Sequence, residues 1–127
     1  MKILVIDDDG IFRKSLEHTL GKLGLTVLTA SNASTAQQHL RSQVFDGVVC
    51  DINMPGIDGL SVVATLRRSG FRGSVVVVSS DTQAQSRDRA LEAGASEFLS
   101  KPVNPMQVAS LLRGQVSRSK KSGTPAP

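Results

Sequence analysis

The sequence has no tryptophan, no tyrosine and only four phenylalanines. Proteins that stack nucleic-acid bases or hold a flavin ring usually present aromatic side chains, so this scarcity disfavours both kinds of site. A single cysteine, Cys50, rules out an internal disulfide. Because Cys50 lies in an apolar run, it is expected to be a small buried residue in a reducing compartment rather than a reactive thiol.

Long apolar segments are also lacking. In the first ten residues, MKILVIDDDG, four apolar residues stand between a lysine and three acids. Such a segment is too short for the core of a signal peptide and far too short to span a membrane. We therefore expect a cytoplasmic protein that makes no membrane contact. The length of 127 residues suits one compact domain.

Acidic residues are absent from residues 113–127, whose four basic residues account for the whole net charge of +4. The preceding part of the chain is therefore neutral overall, which disfavours direct binding of nucleic acid. From residue 117 the composition, SRSKKSGTPAP, has no apolar period. We predict a folded domain over residues 1–116 and a flexible basic tail or linker over residues 117–127.

Five short apolar runs rich in β-branched residues predict strands at residues 3–6, 27–30, 47–50, 75–78 and 98–99. Several runs are continuously apolar, which is typical of parallel strands covered by helices on both faces. Helical periodicity lies between them, as in the stripe formed by Phe12, Leu16, Leu20 and Leu23. Five βα units result, so we predict a doubly wound α/β domain with the flavodoxin-like strand order 2-1-3-4-5.

Polar residues follow four of the predicted strands. In chain order they are Asp7, Asp8 and Asp9, then Asp51, then Ser79 and Ser80, and finally Lys101. The carboxyl ends of parallel strands share one edge of the sheet, where ligands bind. Singly, each residue has an ordinary explanation as a helix cap, a turn residue or a solvated charge, and for Asp9 capping is as good an interpretation as function. Together they predict a ligand-binding site at the carboxyl edge of the sheet.

The predicted site gathers negative charge. Two carboxylates about 4 Å apart repel by roughly 4 kcal/mol at an effective dielectric constant of 20, so Asp7, Asp8 and Asp51 require a cation. Oxygen ligands of this kind suit Mg²⁺. The two histidines lie in helical patterns away from this edge, which disfavours softer metals. Mg²⁺ beside a carboxylate and a lysine is equipped to hold a phosphoryl group.

Four motifs cover residues 2 to about 116 in order: ILVIDDD with Arg13 following, VVCDINMPGIDGL, VVVVSSD and GASEFLSKP. With them the sequence resembles the receiver domain of bacterial two-component response regulators. The resemblance implies that Asp51 accepts a phosphoryl group from the phosphohistidine of a sensor histidine kinase or a phosphotransfer protein. It also implies that Mg²⁺ is bound by Asp8 and Asp51 directly, by Asp7 through water and by the backbone carbonyl of Asn53.

The same resemblance assigns a switch. It implies that Ser79 binds a phosphoryl oxygen, that Lys101 pairs with the phosphoryl group or the acceptor carboxylate, and that Phe98 turns inward on activation. The surface of the fourth helix, fifth strand and fifth helix would then control a downstream protein or a fused output domain. The domain would be a monomer or a phosphorylation-dependent dimer, and no enzyme beyond accepting and slowly losing its own phosphoryl group. The Lys101–Pro102 peptide bond is expected to be cis.

Three alternatives stay open. The motif IDDDG also resembles the first motif of haloacid-dehalogenase-type phosphatases, with Asp7 as nucleophile and Asp9 as acid. That interpretation leaves Asp51 without a role, and no acid follows Lys101 in the sequence. A flavodoxin-like cofactor binder has the same fold, and a receiver-like interaction module that is never phosphorylated has the same motifs.

Overall fold

The computed structural model describes residues 1–54, 57–80 and 84–121. In chain order its elements are β1 (Lys2–Ile6), α1 (Gly10–Lys22), β2 (Thr26–Ala30), α2 (Ala33–Ser42), β3 (Gly47–Asp51), β4 (Asn53–Met54), β5 (Ile57–Asp58), α3 (Gly59–Arg68), β6 (Ser74–Ser79), α4 (Ala84–Ala93), β7 (Glu97–Ser100) and α5 (Pro105–Lys121).

Five strands form one parallel sheet in the order β2-β1-β3-β6-β7. When the five strands of this sheet are numbered 1 to 5 in chain order, leaving out β4 and β5, the arrangement is the predicted order 2-1-3-4-5. The prediction of a doubly wound α/β domain is confirmed. Strands β1, β3 and β6 are central, and their apolar residues are buried. Alternate side chains serve opposite faces: Ile3 and Val5 pack in the cluster that contains α1 and α5, whereas Leu4 and Ile6 pack in the cluster beneath α2 and α3. Burial on both faces explains the continuous apolar runs.

Two features differ from the sequence-based expectation. A short antiparallel pair, β4 with β5, follows β3 and was not predicted. Helix α5 continues to Lys121, past residue 116, where we expected the folded domain to end. Residues 122–127 of the predicted tail lie outside the described residues, and the division of the chain into a domain and a tail stays a prediction. Among the described helices, none combines the length and apolar character needed to cross a membrane.

Candidate functional site

The carboxyl edge of the sheet brings the predicted residues together. Asp51 ends β3, Ser79 ends β6, and Asp7 and Lys101 directly follow β1 and β7. The backbone N–H of Lys101 donates to the carbonyl of Ser79 at 2.7 Å, which extends the ladder between β6 and β7 into the site. Carboxylate oxygens of Asp7, Asp8 and Asp51 all lie within 4.8 Å of one another. The predicted convergence of acids at this edge is therefore present.

Lys101 bridges two buried acids. Its Nζ lies 2.9 Å from Oδ2 of Asp7 and donates a hydrogen bond of 3.2 Å to Oδ2 of Asp51. Burial lowers the pKa of Lys101, but its contacts with these two carboxylates outweigh burial and raise that pKa overall. The ammonium is therefore charged at neutral pH and neutralises part of the carboxylate charge.

Asp7 is the most buried of the three acids in this cluster. Its side chain is fully buried, and Oδ1 accepts a hydrogen bond of 2.9 Å from the backbone N–H of Asp9. Burial raises the pKa of the Asp7 carboxyl, and the charge of Asp51 adds to that rise. The other carboxylate oxygen, Oδ2, forms the ion pair with Lys101 at 2.9 Å.

The charge and chemistry of the cluster fit a divalent cation. Three carboxylates and one ammonium leave a local charge of about −2 when all four groups are ionised. All the side-chain ligand atoms are carboxylate oxygens, which Mg²⁺ and Ca²⁺ prefer. Asp8 is exposed and can reach an ion that retains water. Asn53 lies in β4, two residues after Asp51; its role as a backbone ligand stays a prediction.

The two predicted switch residues lie on adjacent strands. Ser79 is buried at the end of β6. Phe98 lies in β7, paired with Val77, and packs partly buried against a cluster that includes Val63 of α3 and Ala90 of α4. The roles of Ser79 and Phe98 stay predictions. The Lys101–Pro102 bond is cis, as expected.

Asp9 is a helix cap. Its Oδ1 accepts hydrogen bonds from the backbone N–H groups of Ile11 at 3.0 Å and Phe12 at 3.2 Å at the start of α1. A carboxylate engaged in this way stabilises the helix and is poorly placed to act as the acid of a phosphatase. Cys50 is buried, as expected, and desolvation raises the pKa of its thiol to about 12, which disfavours the reactive thiolate.

Three neighbours of the site received no role from the sequence. The ring of Phe12 lies 4.9 Å from Nζ of Lys101. The guanidinium of Arg13 donates through Nη1 to the carbonyl of Asp7 at 2.6 Å. A Cβ on Gly59 would lie 2.4 Å from Cα of Ile52, so only glycine lets α3 approach the strand end that carries the site. Arg13 belongs to a quoted motif, but its carbonyl partner depends on the turn between β1 and α1.

A family model described as the response regulator receiver domain matches residues 3–113. The chain belongs to this family. Receiver domains are signalling domains rather than enzymes that turn over metabolites. The family match disfavours two of the alternatives raised by the sequence, the haloacid-dehalogenase-type phosphatase and the flavodoxin-like cofactor binder.

The relatives of this receiver domain include much longer proteins. It is 39% identical over 103 residues to the sensor histidine kinase RcsC of Salmonella typhimurium, covering 81% of this chain and 11% of that protein. It is 35% identical over 122 residues to RcsC of Escherichia coli K12, covering 96% of this chain and 13% of that protein. The chain therefore spans only a small part of the curated relatives that it matches.

Solved structures share the fold. A receiver domain from Methanospirillum hungatei is 22% identical with a TM-score of 0.88, and the match covers 94% of this chain and 96% of that one. The BeF3-activated receiver domain of Klebsiella pneumoniae RstA is 27% identical with a TM-score of 0.83, covering 91% and 98%. A Burkholderia pseudomallei response regulator described with a phosphorylated aspartic acid and a calcium ion is 24% identical with a TM-score of 0.83, covering 97% and 72%.

Proposed function

We propose that this receiver domain is a phosphorylation switch whose acceptor is Asp51. The observation that carries the proposal is the ion-pair geometry: one ammonium, Lys101, lies 2.9 Å from Asp7 and 3.2 Å from Asp51 at the strand edge. Asp7 and Asp51 both contact the lysine and both belong to the carboxylate cluster. The resemblance of the motif VVCDINMPGIDGL to receiver domains assigns Asp51 as the acceptor and leaves Asp7 and Asp8 as metal ligands. Asp51 therefore lies beside both the cluster and the ammonium. A nucleophile requires that position.

The reaction is a phosphoryl transfer between two side chains. A carboxylate oxygen of Asp51 attacks the phosphorus of a phosphohistidine, a P–O bond forms, and the P–N bond to the imidazole breaks. Asp8, Asp51 and the backbone carbonyl of Asn53 would hold Mg²⁺ directly and Asp7 would hold it through water, and the ion would neutralise charge on the phosphoryl oxygens. Lys101 neutralises a further oxygen, and Ser79 donates its hydroxyl to the third. Hydrolysis of the acyl phosphate by water returns the domain to its starting state.

The output is a conformational change. Phosphorylation replaces the single carboxylate charge of Asp51 with up to about two negative charges and three acceptor oxygens. Ser79 moves toward these oxygens, and Phe98 turns into the space that Ser79 leaves. Ser79 pairs with Ser100 of β7, and Phe98 of β7 packs against a cluster that includes Ala90 of α4. The surface formed by α4, β7 and α5 therefore differs between the two forms. A coupling of about 1 to 3 kcal/mol is typical of such switches.

The partners follow from this chemistry. We propose that a sensor histidine kinase or a phosphotransfer protein donates the phosphoryl group in the cytoplasm, and the curated relatives are themselves named sensor histidine kinases. The α4-β7-α5 surface then controls a downstream protein or a fused output domain. The domain acts as a monomer or a phosphorylation-dependent dimer and does not itself bind nucleic acid.

Labelling with a small phosphodonor tests the acceptor. The protein is incubated with Mg²⁺ and acetyl phosphate, and the modified residue is located by mass spectrometry of its peptides. We expect one phosphoryl group on Asp51, none on Asp51→Asn, and normal labelling of Asp88→Asn, which changes an exposed acid on α4. Modification of Asp7 instead would favour the phosphatase chemistry. An unlabelled wild-type protein would leave only the unphosphorylated interaction module.

A further inference from the structure

We propose that Phe12 is a positioning residue for Lys101, and that its ring holds the ammonium at the acidic edge during phosphoryl transfer. This inference rests on the proposed function of Lys101. It concerns a residue of α1 to which neither the sequence motifs nor the family match gives a part in the chemistry.

The geometry places an aromatic face beside the ammonium. Nζ of Lys101 lies 4.9 Å from the centroid of the Phe12 ring, well within the range of a cation–π contact. The two carboxylates approach the same nitrogen at 2.9 and 3.2 Å. The Lys101 side chain is only 20% exposed, so part of its hydration has been replaced by these contacts. Desolvation of this kind strengthens a cation–π interaction.

The ring itself is held in place. The backbone N–H of Phe12 bonds to the Asp9 cap at 3.2 Å, and the side chain packs against the core cluster that contains Leu16 and Val108. The ring also lines a pocket of about 490 Å³, together with Lys101, Pro102 and Val103. The ring therefore contacts both the core cluster and this pocket, and Lys101 lies beside the ring in the pocket lining.

A contact of this type differs from the carboxylate contacts in one useful respect. Phosphorylation converts Asp51 from the lysine's hydrogen-bond acceptor into an acyl phosphate, so that contact changes during the reaction. The ring quadrupole does not change, and its attraction for the ammonium persists through the transfer. Loss of a cation–π contact corresponds to a factor of about 2 at an exposed site and about 30 at a desolvated one.

Ring-current shifts test the contact without metal or phosphodonor. In the wild-type protein the ε-methylene protons of Lys101 are expected upfield of those of exposed lysines. The upfield shift should persist in Phe12→Tyr and vanish in Phe12→Leu. Leu23→Ala is the matched control, because Leu23, the C-cap residue of α1, packs against the same cluster about 16 Å further along the helix axis. Normal lysine shifts in the wild-type protein would overturn the inference.

Labelling kinetics test the positioning role. With Mg²⁺ and acetyl phosphate, we expect Phe12→Leu to lower the rate constant at saturating donor by about 2- to 30-fold. Phe12→Tyr should restore the rate, and Mg²⁺ affinity measured by calorimetry should be the same in all variants. A wild-type rate in Phe12→Leu, or no recovery in Phe12→Tyr, would overturn the inference while the proposed function stands. An unlabelled wild-type protein would overturn the proposed function, so the two failures are distinguishable.

Discussion

Replacing Lys101 with methionine removes the ammonium and keeps most of the aliphatic side chain. Two nearly buried carboxylates then lose the cation that lies 2.9 and 3.2 Å away. Removing one partner of a buried pair costs about 3 to 5 kcal/mol. Because the lysine side chain is 20% exposed, water screens part of this loss, and we expect a fall in the free energy of unfolding of about 2 to 3 kcal/mol. For a chain of this size that is a fall in Tm of about 10 °C.

Mg²⁺ should reduce this difference. The substitution changes the local charge from about −2 to about −3, so the cation binds more tightly to Lys101→Met than to the wild-type protein. A ligand at 100 times its Kd stabilises the folded state by about 2.7 kcal/mol, and tighter binding stabilises it further. The variant should therefore be much less stable than wild type in EDTA and closer to it at high Mg²⁺.

Thermal unfolding followed by circular dichroism measures both effects. Wild type, Lys101→Met and the control Lys14→Met, which changes an exposed lysine of α1, are compared in EDTA and in Mg²⁺. The control should match wild type in both buffers. An equal difference between wild type and Lys101→Met in the two buffers would refute the placement of the ion beside Lys101. A Tm of Lys101→Met equal to that of wild type in EDTA would refute the predicted stabilisation by the two ion pairs of Lys101.

Three further outcomes are expected. Arg67→Lys keeps the charge but loses the planar group that donates to three backbone carbonyls and one hydroxyl, so urea unfolding should show a loss of about 2 to 3 kcal/mol. Gly59→Ala places a Cβ 2.4 Å from Cα of Ile52 and 2.7 Å from the carbonyl of Asp51, so it should cost about 1 to 3 kcal/mol and slow labelling. The pKa of Lys101 is raised above 10.5 in the folded state. The contribution of its ion pairs to the free energy of unfolding is therefore fully present below pH 10.5 and is lost as the pH rises through the folded-state pKa.

Each outcome has a contradicting result. Wild-type stability in Arg67→Lys would show that an ammonium group suffices at that position. Arg68→Lys, which changes an exposed arginine, is the control and should unfold like wild type. Unchanged labelling in Gly59→Ala would show that α3 can move without disturbing the acceptor. An alkaline fall in stability that is identical in Lys101→Met would assign that fall to other groups.

The sheet and its polar edge could be predicted because their signals are local. Burial on both faces forces continuous apolar runs, and the carboxyl ends of parallel strands must share an edge. Asp51 and Lys101 are 50 residues apart, yet each directly follows or ends its strand, so the strand order alone brings them together. The same reasoning could not decide whether Asp9 caps α1 or acts in the site, because both uses need an acid before a helix.

The features that the sequence did not reveal depend on how distant segments pack. The carbonyl of Gly94, which accepts from Arg67, lies 27 residues away in the sequence, and the packing of α3 against α4 brings the two together. The contact between Phe12 and Lys101 joins α1 to the loop after β7 in the same way. Helix α5 runs on through residues 117–121, which have no apolar stripe, so periodicity did not predict its end.

A crystal structure with Mg²⁺ and beryllofluoride, a mimic of the phosphoryl group, tests the acceptor and the cluster together. We expect beryllium on an Asp51 oxygen, Mg²⁺ within reach of Asp7, Asp8 and Asp51, and Lys101 and Ser79 in contact with fluorine atoms. Beryllofluoride on Asp7 would contradict Asp51 as the phosphoryl acceptor. Mg²⁺ bound away from these three carboxylates would contradict the metal site.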